Sequence, residues 1–158
     1  MKKSSWKNYL LWIGLAEAVG LLSGLLTMDA ARVYGETINK PPLSPPAIVF
    51  PIVWTILYAL MGIGAARVAA TEPSKERSLG LNLFVLQLIV NFFWSLLFFN
   101  AQAYGFAFFW LILLWVLVAA MILAFMKTDS LAAWLQIPYL IWLTFAAYLS
   151  GAVWLMNP

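Results

Sequence analysis

The chain has 158 residues, of which 65% are hydrophobic and 16% aromatic, while only 9% are charged. A soluble domain is about 45–50% apolar and about 25% charged, so a mean hydropathy of +0.92 leaves too little polar surface for a water-soluble globule. The composition excludes disorder and a basic nucleic-acid-binding domain. The absence of His and Cys excludes disulfide scaffolds, Cys/His zinc sites, Ser-His-Asp triads and haem held by His or thiolate.

Charges punctuate the chain, and the gaps between them can be measured against a bilayer core of roughly 30 Å, which takes about 20 apolar residues in a helix. The first gap, 21 residues between Lys7 and Asp29, contains one charge, Glu17, and predicts a helix over about 8–28. A Lys-rich start before an apolar run also resembles a signal peptide. Glu17 interrupts that run and the run is long, so a retained helix is expected. Glu17 is the one ionisable residue well inside a predicted span; such residues are costly and face an interior or a water path, and functional and structural roles both stay open. Ala16, Gly20 and Gly24 form a small-xxx-small row suited either to packing within the chain or to a dimer seam.

A long connection over about 29–45 follows, carrying Asp29, Arg32, Tyr34, Glu36 and Lys40, then Pro41-Pro42-Leu43-Ser44-Pro45-Pro46. The prolines stiffen it toward polyproline II, and both a lid over a site and a plain connector fit. The 26 uncharged residues between Lys40 and Arg67 predict a helix over about 46–69, with Pro46 in its first turn. The 49 uncharged residues between Arg77 and Lys127 are enough for two spans, broken at Asn100-Ala101-Gln102-Ala103-Tyr104-Gly105 into about 79–100 and 104–126. The fourth helix carries no strongly polar side chain between Phe106 and Met126, which suits a lipid-facing place or a subunit interface. After Asp129, 29 uncharged residues predict a fifth helix over about 131–155.

The expected fold class is all-α, an integral membrane bundle of five transmembrane helices in a single domain over 1–158. Lipid offers no partner for open backbone groups, and these runs are too long and continuous for barrel strands. Lys2, Lys3, Lys7, Arg67, Lys75, Arg77 and Lys127 fall on the N-terminal side, against Arg32 and Lys40 on the other. That asymmetry predicts a multi-pass protein with its N-terminus cytoplasmic and its C-terminus outside, if it occupies a plasma membrane.

Helical spacing groups candidate site residues into three stripes. Trp54, Tyr58 and Met61 share one face of the second helix; Gln87, Asn91, Trp94 and Phe98 share one of the third; Tyr139, Trp142, Ala146 and Ser150 share one of the fifth. Each stripe pairs aromatic surface with hydrogen-bonding groups, which suits a planar apolar ligand with polar edges. Aromatic stripes also serve packing, and Gln87 and Asn91 can be satisfied by interhelical hydrogen bonds worth about 1 kcal/mol or less each.

Lys40-Pro41-Pro42-Leu43-Ser44-Pro45-Pro46 and Pro51-Ile52-Val53-Trp54-Thr55-Ile56-Leu57-Tyr58-Ala59-Leu60-Met61-Gly62 resemble the signature of the TspO/translocator protein family, the tryptophan-rich sensory proteins. Gln87 with Asn91-Phe92-Phe93-Trp94 and Phe98-Phe99 is similar to that family's third helix, and Pro138-Tyr139-Leu140-Ile141-Trp142-Leu143-Thr144-Phe145-Ala146 to its fifth. The resemblance implies a five-helix membrane bundle, commonly a homodimer, that binds porphyrins and other tetrapyrroles between the helices beneath the first loop. It also implies isoquinoline- or benzodiazepine-type drug ligands, and links some bacterial members to light-dependent oxidative breakdown of protoporphyrin. Ligand lining is expected for Trp54, Tyr58, Gln87, Asn91, Trp94, Phe98, Tyr139, Trp142 and Ala146, and a redox role in photo-degradation for Trp54, Trp94 and Trp142. Two departures limit the likeness. Gly151 and Leu155 stand where the animal cholesterol motif needs a Tyr and a basic residue, and Phe106 stands where a Trp is frequent.

No metal site and no required cofactor are expected, with porphyrin as ligand rather than prosthetic group. If pigment is degraded, the ligand supplies the reactive chemistry, because Glu17 is the only acid within a predicted span. The competing expectation is a small proton-coupled cation efflux transporter that uses Glu17; five helices and the proline-rich loop weigh against it.

Overall fold

The computed structural model describes residues 5–158; Lys2 and Lys3, which enter the orientation expectation, lie outside them. Five helical spans are long and apolar enough to cross a membrane, and among the described residues there is no strand. The elements are α1 (Trp6–Thr37), α2 (Val49–Ala69), α3 (Lys75–Ser95) continuing as a π-helical turn (Leu96–Asn100), α4 (Tyr104–Met126), α5 (Ser130–Trp134) and α6 (Ile137–Met156).

Helix α1 corrects the expected loop. It runs on through Asp29 to Thr37, so the connection to α2 covers 38–48 rather than 29–45. Charges end a membrane crossing but not a helix, and Ala30, Ala31 and Arg32 are good helix formers. At 1.5 Å per residue its 32 residues span about 48 Å, well beyond a core of roughly 30 Å. The exposed Asp29–Arg32 pair at 3.6 Å lies on the protruding part and contributes little.

The other boundaries follow backbone chemistry. Helix α2 begins at Val49, whose N–H donates to the Pro46 carbonyl at 3.0 Å, and it is Pro51, not Pro46, that occupies the first turn, where a missing N–H costs nothing. Helix α3 starts at Lys75, before the expected 79, because the Ser74 hydroxyl accepts from the Arg77 N–H at 3.0 Å and caps it. Its end widens into the π-turn, where the Ala101 N–H reaches back to the Leu96 carbonyl at 2.9 Å. The expected fifth helix is two pieces. Asp129 caps α5 through the Ala132 N–H at 2.8 Å, and Pro138 near the start of α6 removes a backbone donor, so the ladder breaks one turn upstream.

Round the bundle the order is α1, α2, α6, α4, α3 and back to α1. Helix α4 is more central than its lack of polar side chains predicted. Its Leu111, Leu114, Val118 and Met121 are fully buried against α3 and α6, while Phe109, Val116 and Leu123 face outward. Trp110 ties it to α3 by donating to the Val90 carbonyl at 2.7 Å. The α1–α2 crossing depends on Gly62, where any Cβ would collide with the Ile13 backbone. The small-residue row of α1 divides: Ala16 is buried, Gly20 lies against the Tyr58 ring, and Gly24 has open space beside it.

Two sets of bonds fix the ends of the bundle. On the side where α1 starts, Arg67 grips Asp129 with two bonds, Nε to Oδ1 at 3.1 Å and a terminal nitrogen to Oδ2 at 2.8 Å. On the other side, Tyr148 donates to the Pro42 carbonyl at 2.9 Å. There the Asn157 amide also exchanges two bonds with the Asn39 backbone, at 3.1 and 3.0 Å. The proline-rich connection is therefore strapped to α6, and Leu43 within it takes a left-handed conformation (φ 70°) that non-glycine residues rarely adopt.

Candidate functional site

The three stripes meet at a polar hub in the middle of the bundle. Asn91 Nδ2 on α3 donates to the Tyr139 hydroxyl on α6 at 2.9 Å. Tyr139 in turn donates to Gln87 Oε1, one turn before Asn91, at 2.8 Å. Gln87 Nε2 makes a weaker bond to Met61 Sδ on α2 at 3.6 Å. Gln87, Asn91, Tyr139 and Met61 are all buried, so a single connected chain satisfies two amides that apolar surroundings would otherwise penalise.

Aromatic side chains cover the hub. Trp54 sets its ring 5.5 Å from Tyr58 and meets Tyr139 edge-on at 6.0 Å. Gly20 makes room for Tyr58, because a Cβ there would strike the ring. Glu17, half-buried one turn earlier on α1, is an electrostatic neighbour of the Tyr58 hydroxyl.

The remaining candidates fall outside this cluster. Trp94 stacks on Phe98 at 5.1 Å, and Phe98 reaches Tyr34 and Tyr104 in a second apolar cluster near the proline-rich connection. Trp142 turns away from Tyr139 to meet Phe50 at 5.8 Å across the α2–α6 seam. Ala146 is half-buried against the main core. Trp54, Trp94 and Trp142 thus stack in three separate groups.

Three polar atoms here are buried without a hydrogen-bond partner among the described residues: Trp94 Nε1, Gln136 Oε1 and Ser150 Oγ. Each such group costs about 1–3 kcal/mol, and in a native interior it calls for an explanation. The hub is closed by its own hydrogen bonds. A groove of about 560 Å³ lies beside it, between Val53, Ile56 and Leu57 of α2 and Pro138, Ile141, Trp142 and Phe145 of α6.

Gln136 escaped the stripe reading. It is fully buried, and its Nε2 donates to the Leu60 and Ala132 carbonyls at 3.2 and 3.1 Å, closing α6 onto α2 below the hub. Its position two residues before Pro138, where carbonyls lose helical donors, is the signal that marks it. Asn157 and Tyr148 escaped as well, because their partners are backbone atoms of a distant loop.

Residues 12–155 match the sequence model of the TspO/MBR family, and the resemblance of the separate motifs becomes one alignment over nearly the whole chain. The chain belongs to the TspO/MBR family. It is similar to a tryptophan-rich protein TspO of Chlorobaculum tepidum, 39% identical over 94% of each chain. A tryptophan-rich sensory protein of Cereibacter sphaeroides is 34% identical over 96% of this chain and 92% of its own length. The translocator protein of Ovis aries is 37% identical over 77% of this chain and 73% of its own. As a TspO/MBR member it is an integral, multi-pass protein of the lipid bilayer, consistent with its five apolar spans.

Proposed function

We propose that this chain is a membrane receptor or carrier for a flat, largely apolar tetrapyrrole of the protoporphyrin type, with no resident metal or cofactor. The observation that carries the reading is the Asn91–Tyr139–Gln87 chain set beside Trp54 and Tyr58. A macrocycle offers two wide π-faces to the aromatic rings and a polar edge to the amides. The hub is closed on itself, so binding exchanges bonds: Asn91 and Tyr139 release each other and take up the ligand's edge.

The proposal has a light-dependent part, in which the bound porphyrin absorbs light, dioxygen is the oxidant, and tryptophans quench or donate electrons. Trp54 is the best placed by its contact with Tyr139, with Trp94 and Trp142 farther out. The family resemblance extends the proposed ligands to isoquinoline- and benzodiazepine-type molecules, and the proposed assembly to a homodimer. The proposed orientation has the N-terminus cytoplasmic, supported by Lys7, Arg67, Lys75, Arg77 and Lys127 at one end of the spans against Arg32 and Lys40 at the other.

The test is a titration of the purified protein with free-base protoporphyrin, read by the pigment's absorbance and by tryptophan fluorescence. Saturable quenching that weakens at least tenfold in Asn91→Ala is expected. No saturable change overturns the reading. Under illumination, equal pigment loss in Trp54→Phe and the parent removes the light-dependent part alone.

A further inference from the structure

Helices α2 and α6 form the loosest seam of the ring, and the groove between them is framed. At one end Gln136 bonds the Leu60 carbonyl and α5 packs on α2. At the other, Phe50 meets Trp142 and the Tyr148 hydroxyl holds the Pro42 carbonyl. The middle is open on the side that faces lipid, where Ile141 is 64% exposed and Ile56 55%.

The groove and the hub are back to back. Val53 lines the groove while its neighbour Trp54 covers the hub; Leu57 and Tyr58 repeat the relation one turn on, and Pro138 and Tyr139 repeat it on α6. We infer that the α2–α6 groove is a lateral portal, through which a flat apolar macrocycle dissolved in the bilayer reaches the Gln87–Tyr139–Asn91 hub, with the Trp142 ring as its movable leaf.

Three observations favour this occupant over an acyl chain at rest. The space of about 560 Å³ falls in the range of small-molecule sites, roughly 300–1,000 Å³. Its lining includes two aromatic rings, Trp142 and Phe145, which offer π-contacts to a planar ring system. Its lining residues Val53, Leu57 and Pro138 are also the chain neighbours of Trp54, Tyr58 and Tyr139, which surround the buried polar groups that a porphyrin edge needs. At the opposite end the Tyr148–Pro42 and Asn157–Asn39 bonds fasten the proline-rich connection to α6 and its C-terminal end. Helix α6 can yield at the portal, because the break before Ile137 and Pro138 leaves its first turn short of backbone bonds.

The inference rests on the proposed tetrapyrrole binding, and the experiment separates the two. The chain has no cysteine, so Ile141→Cys gives one reactive site in the groove, and Leu123→Cys, 68% exposed on the outer face of α4, gives a control. Each variant in lipid vesicles is labelled with a membrane-permeable aryl maleimide, and protoporphyrin association is followed by stopped-flow tryptophan quenching. Labelling at Ile141 is expected to slow association at least tenfold, and labelling at Leu123 to change it less than twofold. Val53→Cys, labelled from the opposite wall, is expected to repeat the Ile141 result and guards against a local folding defect. Unaltered association in both labelled groove variants overturns the portal, leaving the groove to lipid and the pigment to another route. Absence of protoporphyrin binding in the unlabelled parent overturns the functional reading and the portal with it.

Discussion

The phenol of Tyr139 donates to Gln87 Oε1 at 2.8 Å while accepting from Asn91 Nδ2 at 2.9 Å, so one hydroxyl joins two amides on successive turns of a facing helix. Removing that oxygen strands both amides in an apolar interior. Tyr139→Phe keeps the ring and its contact with Trp54, so the expected loss is in the bonds alone, about 1–3 kcal/mol. Thermal unfolding in detergent measures it as a lowered midpoint. An unchanged midpoint would mean that water satisfies the amides equally well.

Glycines of α1 and α2 divide by what stands opposite them. Gly62→Ala drives a methyl into the Ile13 backbone and is expected to destabilise by about 1–3 kcal/mol. Gly20→Ala meets only the Tyr58 ring and should displace it from the hub, weakening porphyrin binding several-fold more than it lowers stability. Gly24→Ala faces open space and should be neutral or slightly stabilising. Unfolding midpoints and titrations on the three proteins give the comparison.

The Arg67–Asp129 grip predicts an acid limit. Burial alone would push the Asp129 carboxyl up, but the hydrogen bond and charge of Arg67, with the Ala132 and Leu131 amides, outweigh it and hold it below its ordinary 3.8. A depressed carboxyl contributes stability that is fully present above its unfolded value and is lost as pH falls through the folded one. Stability is therefore expected to hold down to about pH 4 and to decline below it. Asn caps a helix as well as Asp does, so Asp129→Asn should cost about 1.5–3 kcal/mol at neutral pH and flatten the acid decline. The same slope in both proteins would assign the decline to other carboxylates.

The strap on the proline-rich connection is testable by hydrogen exchange. The Asn39 N–H donates to Asn157 Oδ1 at 3.1 Å. In Asn157→Ala its exchange is expected to accelerate at least tenfold, while amides in the middle of α4 exchange as before. Equal protection at Asn39 would mean that the Tyr148–Pro42 bond secures the connection unaided.

Much of this architecture is legible in the residues because a bilayer imposes a length. Gaps between charges gave five spans, and helical spacing put Gln87, Asn91 and Tyr139 on faces that meet. What escaped has a physical reason in each case. A charge-gap ruler cannot see α1 pass Asp29, because a helix continues in water when its residues favour it. The split between α5 and α6 was written in Pro138, but its effect falls a turn earlier, where the residues look helical. Spacing also put Trp142 with Tyr139 on one stripe. A step of three residues turns the side chain by 300°, enough for α6 to aim one at the hub and the other at Phe50. Long-range pairs such as Asn157 with Asn39 leave no periodic trace at all.

The nine residues of α1 beyond Met28 extend about 14 Å past the apolar run. A rigid rod that overhangs its socket magnifies rotation: a 10° tilt about the point of exit sweeps the tip sideways by about 2 Å. Thr37 is that tip, and the proline-rich connection begins directly after it. Tyr34 on this extension packs against Phe98 and Phe99 at 5.4 Å, so a tilt of α1 would be shared with the end of α3 and passed to the proline-rich connection.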